Sequence, residues 1–404
     1  MKKVFMLLAA VACLAVSCKK EVKGPVLTPE QNKTTLDETM TKAVEMLSVE
    51  NWQETADLIT ASAVALDDKA ADQSVESWIE GIEKGWMSKQ GDVEIMTVNL
   101  EDLQGTLTVG DSVSVAAGKG LSLNYNLEDG SKVEAKMSVK NSKTTVLLGE
   151  DYTYYDAAGQ YVEDGILRGK EYLIVPALLE ANVNAAGKKA ANVKITTDLS
   201  IAGEQPTVND KLSATATVSA GSYTFAVTRA KYSNTEVAVD ASIKYGKNTV
   251  VSAKLEAKGK IVGEGEDIDP FSSTGKVNAS FSVLDNVVLK GSFDWTAYME
   301  LSAKEHSDTE EGVKADCAAL EKIANLTLYI QNTAQAKLGF EAIGHTDVEV
   351  SYWSIVPVVR FEDGSQYALP EEFFNPEGFP KTVEAVNKAL AEMEEFLSGP
   401  ESEK

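Results

Sequence analysis

Apolar side chains recur at every second position through most of the stretch from about Gly91 to Leu301. Successive residues of a strand point to opposite faces, so this rhythm demands extended chain with one buried and one wet face. Val287, Leu289, Gly291, Phe293, Trp295, Ala297 and Met299 form one such set, with Lys290, Ser292, Asp294 and Thr296 opposite. Val277, Ala279, Phe281 and Val283 alternate with Lys276, Asn278, Ser280 and Ser282. Val251, Ala253, Leu255 and Ala257 alternate with Ser252, Lys254, Glu256 and Lys258. Asp129-Gly130, Asp363-Gly364 and Gly246-Lys247-Asn248 are short-turn signals. Strands joined by such turns make an antiparallel meander, with no strand–helix–strand unit in view.

Helical spacing brackets this region. Thr35-x-x-Glu38 has the form of a capping box, and Leu36, Met40, Ala43, Val44 and Leu47 follow at helical intervals. Ser48 and Asn51 can cap a second helix carrying Trp52, Ala56, Ile59 and Ala63. A third is expected near Ser74, with Val75, Trp78, Ile79, Ile82 and Trp86. Tryptophans at this spacing read as core anchors before they read as a stacking platform. Past the sheet, Val313, Cys317, Leu320, Ile323, Thr327 and Ile330 continue a helical stripe. Lys337–Ile343 and Glu349–Phe361 read as strands, Pro357 marking an edge or a bulge. Lys381–Leu397 is a last amphipathic helix with Val383, Val386, Leu390, Met393 and Leu397 inward. The expected class is α+β: a large curved antiparallel sheet, a meander or half-barrel, with N-terminal and C-terminal helices packed on it. Its apolar face is rich in alanine, which admits a close-packed helix or an open concavity. The flanking helices favour the filled face.

The start of the chain has different physics. Lys2 and Lys3 precede an uncharged run, Val4–Val16, too short to span a hydrocarbon core of about 30 Å. The run ends in Leu14-Ala15-Val16-Ser17-Cys18, which resembles the lipobox of bacterial lipoprotein precursors. The resemblance implies cleavage before Cys18, acylation of its thiol and new amino group, and a membrane partner reached through those acyl chains. Leu14 stands four before the cysteine, where that class more often has it three before. Lys19 follows the cysteine, which by the same resemblance favours the outer membrane and its periplasmic side. The expected organisation is a signal peptide (1–17), a lipidated N-terminus and flexible tether (18–33) and a helical segment (34–90). An antiparallel β region (91–302), a C-terminal α/β segment (303–399) and a tail (400–404) follow.

Charge and cysteine content exclude several functions. A net charge of −24 repels nucleic-acid phosphates, so no nucleic-acid partner is expected. Of three cysteines, Cys13 leaves with the signal and Cys18 is acylated, so Cys317 stands alone and no intramolecular disulfide can form. Cys317 lies in an apolar helical pattern and reads as a small buried hydrophobe. His306 and His345 stand apart from other ligands in polar, turn-like surroundings, as surface residues do.

Two clusters could carry chemistry. Glu264, Glu266, Asp267 and Asp269 gather between two strands, either a solvated turn or an oxygen-rich metal loop, though without the ligand order of an EF-hand. Tyr152, Tyr154, Tyr155 and Tyr161 lie among Glu150, Asp151, Asp156, Glu163 and Asp164. Tyrosines with carboxylates suit sugar stacking, and tyrosine is also a preferred strand residue. The Gly-Lys pairs at Gly118, Gly187 and Gly275 lack the remainder of a phosphate loop, and no cofactor is called for. The function expected is a cell-envelope lipoprotein acting as a non-catalytic binding or structural module for a hydrophobic or glycan ligand. A glycan hydrolase using paired carboxylates and an adhesion or assembly subunit are the alternatives.

Overall fold

The computed structural model describes residues 25–67, 87–90, 93–110, 112–155, 161–201, 203, 207–263, 275–304, 309–346, 351–373 and 375–398. Its helices are α1 (Pro29–Met46), α2 (Gln53–Asp67), α3 (Trp295–Ser302), α4 (Glu310–Ile323) and α5 (Pro380–Ser398). Its first nine strands are β1 (Met87–Gln90), β2 (Val93–Val98), β3 (Gly105–Val109), β4 (Val113–Ala116), β5 (Leu121–Asn126), β6 (Lys132–Tyr155), β7 (Tyr161–Ala185), β8 (Lys188–Ser200) and β9 (Lys211–Ala220). The rest are β10 (Tyr223–Ser233), β11 (Glu236–Tyr245), β12 (Asn248–Lys258), β13 (Lys276–Val283), β14 (Val287–Asp294), β15 (Ala324–Ile330), β16 (Thr333–Thr346), β17 (Ser351–Phe361) and β18 (Gln366–Ala368). The fold is α+β, with open, mostly antiparallel pairing and helices toward both ends of the chain. Two compact units divide it. Unit 1 takes the chain up to Trp52, Ser222–Val262 and Ile268–Lys404; unit 2 takes Gln53–Gly221 and Gly263–Asp267.

In unit 1, α1 starts earlier than the expected Thr35 box. Thr28 is the N-cap: its hydroxyl accepts from the Gln31 N–H at 3.3 Å, and the Gln31 side chain accepts from the Thr28 N–H at 2.9 Å. Pro29 suits the first helical position, where its missing N–H has no partner to lose. Just ahead, the Gln335 amide donates to the Pro25 carbonyl at 3.0 Å and accepts from the Leu27 N–H at 2.9 Å. Gln335 is buried, so its two bonds fix how the chain enters the fold. Residues 25–33 therefore belong to the folded body, not to the expected tether.

Leu36, Met40 and Ala43 of α1 face one way and join a core with Val250, Phe281, Val283, Val287, Ile330, Phe361 and Phe373. Burying a side chain such as Leu36 contributes about 1.5–3 kcal/mol. Beneath α1, β10 to β18 form a meander in which each strand pairs antiparallel with the next. The apolar face is thus filled by the protein's own helix. Trp52 stacks on Tyr223 at 4.0 Å, the anchoring role its spacing predicts.

Three details of unit 1 differ from the sequence pattern. The strand rhythm running to Met299 breaks at Asp294, whose carboxylate accepts from the Ala297 N–H at 3.0 Å and caps α3. Trp295, Ala297 and Met299 are therefore helical, because a strong N-cap outweighs the rhythm. The stripe through Ile330 also breaks: α4 stops at Ile323, and Thr327 and Ile330 lie in β15. Its turn to β16 uses Gln331 and Asn332 at φ 49° and 63°, without the glycine that would have marked it. In α5, Ala385, Val386, Ala389 and Leu390 turn inward, whereas Val383 (36% exposed) and Met393 (40%) do not. That helix packs on α1, where the Asp37 carboxylate accepts from the Thr382 N–H at 2.8 Å. Pro357 pairs with Phe340 just outside the stretch covered by β18, at an edge as expected.

The opposite sheet face of unit 1 carries α4. Arg360 of β17 forms an ion pair with Glu321 of α4, and its guanidinium donates to the Phe340 carbonyl at 3.1 Å. Gly339 makes room, since a Cβ there would lie 2.9 Å from the guanidinium carbon.

Unit 2 is thinner. β5 to β9 pair antiparallel in sequence order, but β3 pairs parallel with β5 and β2 parallel with β7. These parallel pairings depart from a pure meander, because β4 occupies one edge of β3 and β5 returns on the other. Leu58, Ala65 and Leu66 of α2 cover Val109, Tyr125 and Val133. β8 and β9 contain no buried residue. Cross-strand pairs hold them, among them Lys194–Glu180 at 2.7 Å and Thr196–Thr215 at 2.6 Å. The expected helix near Ser74, with Trp78 and Trp86, lies outside the described residues.

Candidate functional site

The structure separates the residues singled out in the sequence. Cys18, His306 and the acidic group Glu264, Glu266, Asp267 and Asp269 lie outside the described residues. Tyr152, Tyr154 and Tyr155 end β6 and Tyr161 opens β7, so the hairpin brings them together, with Tyr155 and Tyr161 as backbone partners. Their side chains are outside the described part. His345 lies in β16, not in a turn, with Nε2 2.7 Å from the Ser354 hydroxyl and its ring stacked on Tyr352. Cys317 is buried in α4. Burial first, then Glu321 and Asp316, pushes its thiol above the ordinary value, which suits a packed thiol and not a nucleophile. Among the described residues no three His, Cys, Asp or Glu side chains are grouped to hold a metal.

Among the described residues, two concave surfaces of unit 1 stand out. A groove of about 550 Å³ between α1 and α5 is lined by Glu45, Glu50, Lys381, Lys388 and Glu392. Its charges answer one another, Lys388 lying 3.4 Å from Glu392 and 3.9 Å from Glu50. The second surface is a trough of about 440 Å³ on the sheet face opposite α1, crossing β13, β14 and β15.

Strand register builds that trough. Ser280, Lys290 and Thr327 are cross-strand partners in one row, and Asn278, Ser292 and Asn325 in the next. These are the wet-face residues of the alternation, and the apolar set on the other side fixes which way they point. Gly291 keeps β14 and β15 close, because a Cβ there would fall 1.9 Å from the Asn325 carbonyl oxygen. The Lys290 ammonium lies 4.2 Å above the Tyr329 ring centroid, a cation–π contact that holds it over the trough.

Toward β10 the same face carries carboxylates, each already engaged. Arg229 lies 3.2 Å from Glu256, 3.5 Å from Asp240 and 3.7 Å from Glu236. Lys231 pairs with Glu236, and Lys258 with Glu256 at 3.0 Å. The Lys258 hydrogen bond first, with Arg229 adding to it, holds the Glu256 carboxyl below its usual range against a smaller opposing effect of burial. The trough thus presents amides, hydroxyls, one ammonium and one aromatic ring. Such groups exchange hydrogen bonds with a polyhydroxylated ligand.

No protein-family model matches the chain, and neither a curated protein nor a solved structure is significantly similar to it. Gln335 and the outer-face rows escaped the reading of the sequence. Each wet-face residue was visible strand by strand, but their alignment depends on register, which turn lengths and bulges decide.

Proposed function

We propose that this chain is a lipid-anchored cell-envelope protein, seated at the outer membrane and facing the periplasm, that acts as a non-catalytic binding module for glycans. The observation that carries the binding half is the contrast between the two sheet faces of unit 1. The apolar face is occupied by α1, while the polar face over β13–β15 stays open. A glycan needs the second kind of surface, and an acyl chain needs the first. Anchoring rests on the lipobox-like Leu14-Ala15-Val16-Ser17-Cys18. It also fits the Gln335 contacts, which begin the folded body at Pro25, a short reach from Cys18.

Radiolabelled palmitate fed to cells should enter the wild-type protein and not a Cys18→Ser variant, and the variant should leave the membrane fraction. The detergent-solubilised full chain should then be retarded on gels cast with one or more polysaccharides. Equal labelling of both proteins would remove the anchor. Free migration through every polysaccharide would remove the binding role.

A further inference from the structure

We infer that the outer face of unit 1 is an acidic-polysaccharide site, read by a row of three lysines, Lys254, Lys290 and Lys337. The inference deepens the binding-module reading and rests on it. The row follows from register alone. Lys254 of β12 is partnered with Ser280 of β13, Ser280 with Lys290 of β14, Lys290 with Thr327 of β15, and Thr327 with Lys337 of β16. All five side chains share the face opposite α1, and the lysines fall on alternate strands. Strands lie about 4.8 Å apart, so successive ammonium stems stand about 10 Å apart across the sheet.

Charge accounting separates these lysines from the rest of the face. Glu236, Glu256 and Asp240, which is the cross-strand partner of Lys254 on β11, are taken up by Arg229, Lys231 and Lys258. At the other end of the row, Arg360, the cross-strand partner of Lys337, is taken up by Glu321. Among the described residues, Lys254, Lys290 and Lys337 form no ion pair, and Lys290 rests on the Tyr329 ring. In a chain of net charge −24, carboxylates are abundant enough to pair every lysine. Three aligned ammoniums that form no ion pair, on the sheet face that α4 covers mainly toward β16 and β17, make a local positive strip that an anionic ligand would complement.

The groups between and beside the lysines decide what kind of anion fits. Ser280 and Thr327 alternate with them, and Asn278, Ser292 and Asn325 run parallel in the neighbouring row. Hydroxyls and amides pair with sugar hydroxyls, while a repeat of about two strand spacings matches a chain charged at every second sugar. A bilayer surface is the weaker fit, because the strip has no exposed apolar side chain to enter the headgroup region. The occupant proposed is therefore a linear polysaccharide bearing a carboxylate on alternate residues, laid across the strands.

The test uses the detergent-solubilised full chain, with hyaluronan (one carboxylate per disaccharide) and neutral dextran as probes in affinity electrophoresis. Hyaluronan should retard the protein and dextran should not, and added salt should weaken the retardation. The triple variant K254Q/K290Q/K337Q should bind hyaluronan about twentyfold more weakly. K231Q, which alters an already paired lysine, should bind as wild type does. Unchanged melting temperatures in both variants would show that the fold survives. Equal hyaluronan binding by the triple variant would overturn the inference. So would retardation by dextran alone, which would leave a glycan-binding module without this site, whereas no retardation by any polysaccharide would remove the module itself. Lysine-dependent binding to phosphatidylglycerol vesicles without hyaluronan binding would likewise overturn it, in favour of a membrane-facing strip.

Discussion

Unit 1 and unit 2 are built from the same kind of strand, yet they bury their side chains very differently. In unit 1 the sheet has α1 on one face and α4 on the other, and Phe281, Val287, Ile330, Val358 and Phe361 are buried. In unit 2, among the described apolar residues, only Ala56, Val109, Tyr125, Val133 and Val175 reach that state. Strands β8 and β9 carry Val193, Ile195, Leu212 and Ala216 on one face, but none is buried. Alternation makes a face apolar; only a second layer removes it from water. Unit 1 draws its stability from packing, and unit 2 relies far more on backbone ladders and cross-strand pairs, which contribute roughly 0.2–1 kcal/mol each.

The sharpest way to break this contrast is to hollow out the thicker unit. Phe373, at 1% exposure, packs edge-on against Phe379 and tilts against Phe361 and Tyr367. Phe373→Ala should cost about 3–5 kcal/mol in denaturant unfolding of unit 1. Hydrogen exchange should rise through β12 to β17, while β8 and β9, expected to be the faster to exchange in the unaltered protein, should change little. If β8 and β9 start out better protected than β13 to β16, the comparison itself is wrong.

The same contrast governs how much was legible in advance. Strand identity, the antiparallel pairing and the final helix followed from periodicity, because a wet face and a dry face imprint directly on residue order. The glycine turns at Gly130, Gly246 and Gly364 were equally plain, each at positive φ. What failed to show were features decided by a single local competition. Asp294 ends a strand by capping a helix, and Gln331-Asn332 turns without glycine. Thr28 and Gln31 form the capping box, not the Thr35 and Glu38 that the sequence pattern points to. Long-range partners left even less trace. Gln335 meets Pro25 and Leu27 from some three hundred positions away, and the lysine row exists only once five strands are in register.

A second, smaller effect should appear in alkali, through Tyr223 of unit 1. Tyr223 is buried against Trp52, and its hydroxyl donates to the Met46 carbonyl. Burial first, then neighbouring Tyr245, pushes its phenol up to about 12 from an ordinary 10, against a lowering hydrogen bond. The folded state therefore keeps the proton that the unfolded chain releases. Its contribution is complete below pH 10 and is lost as pH rises from 10 toward about 12. In Tyr223→Phe that slope should flatten relative to wild type, alongside a pH-independent loss of about 1 kcal/mol from the missing hydrogen bond. Parallel slopes for the two proteins would show that Tyr223 titrates as an exposed phenol.

Tyr125 makes the matching connection in unit 2, and the smallest predicted effect follows from it. Its hydroxyl donates to Ser62 at 2.7 Å, and Ser62 donates on to the Leu58 carbonyl at 2.6 Å, so one relay joins β5 to α2. Tyr125→Phe keeps the ring against Val109 and Val133 and removes only the hydroxyl. The loss should be about 1 kcal/mol, since Ser62 retains its backbone acceptor and is not left unsatisfied. Because α2 is the layer that covers this core, the change should show as faster exchange of α2 amides and of β3, β5 and β6 beneath it. Unit 1 offers a control, because α1 is held by Leu36, Met40 and Ala43 together and should not respond. Uniformly faster exchange in both units would mean that the thin core is not a separate weak point, and that the strands of unit 2 share the stability of the packed unit.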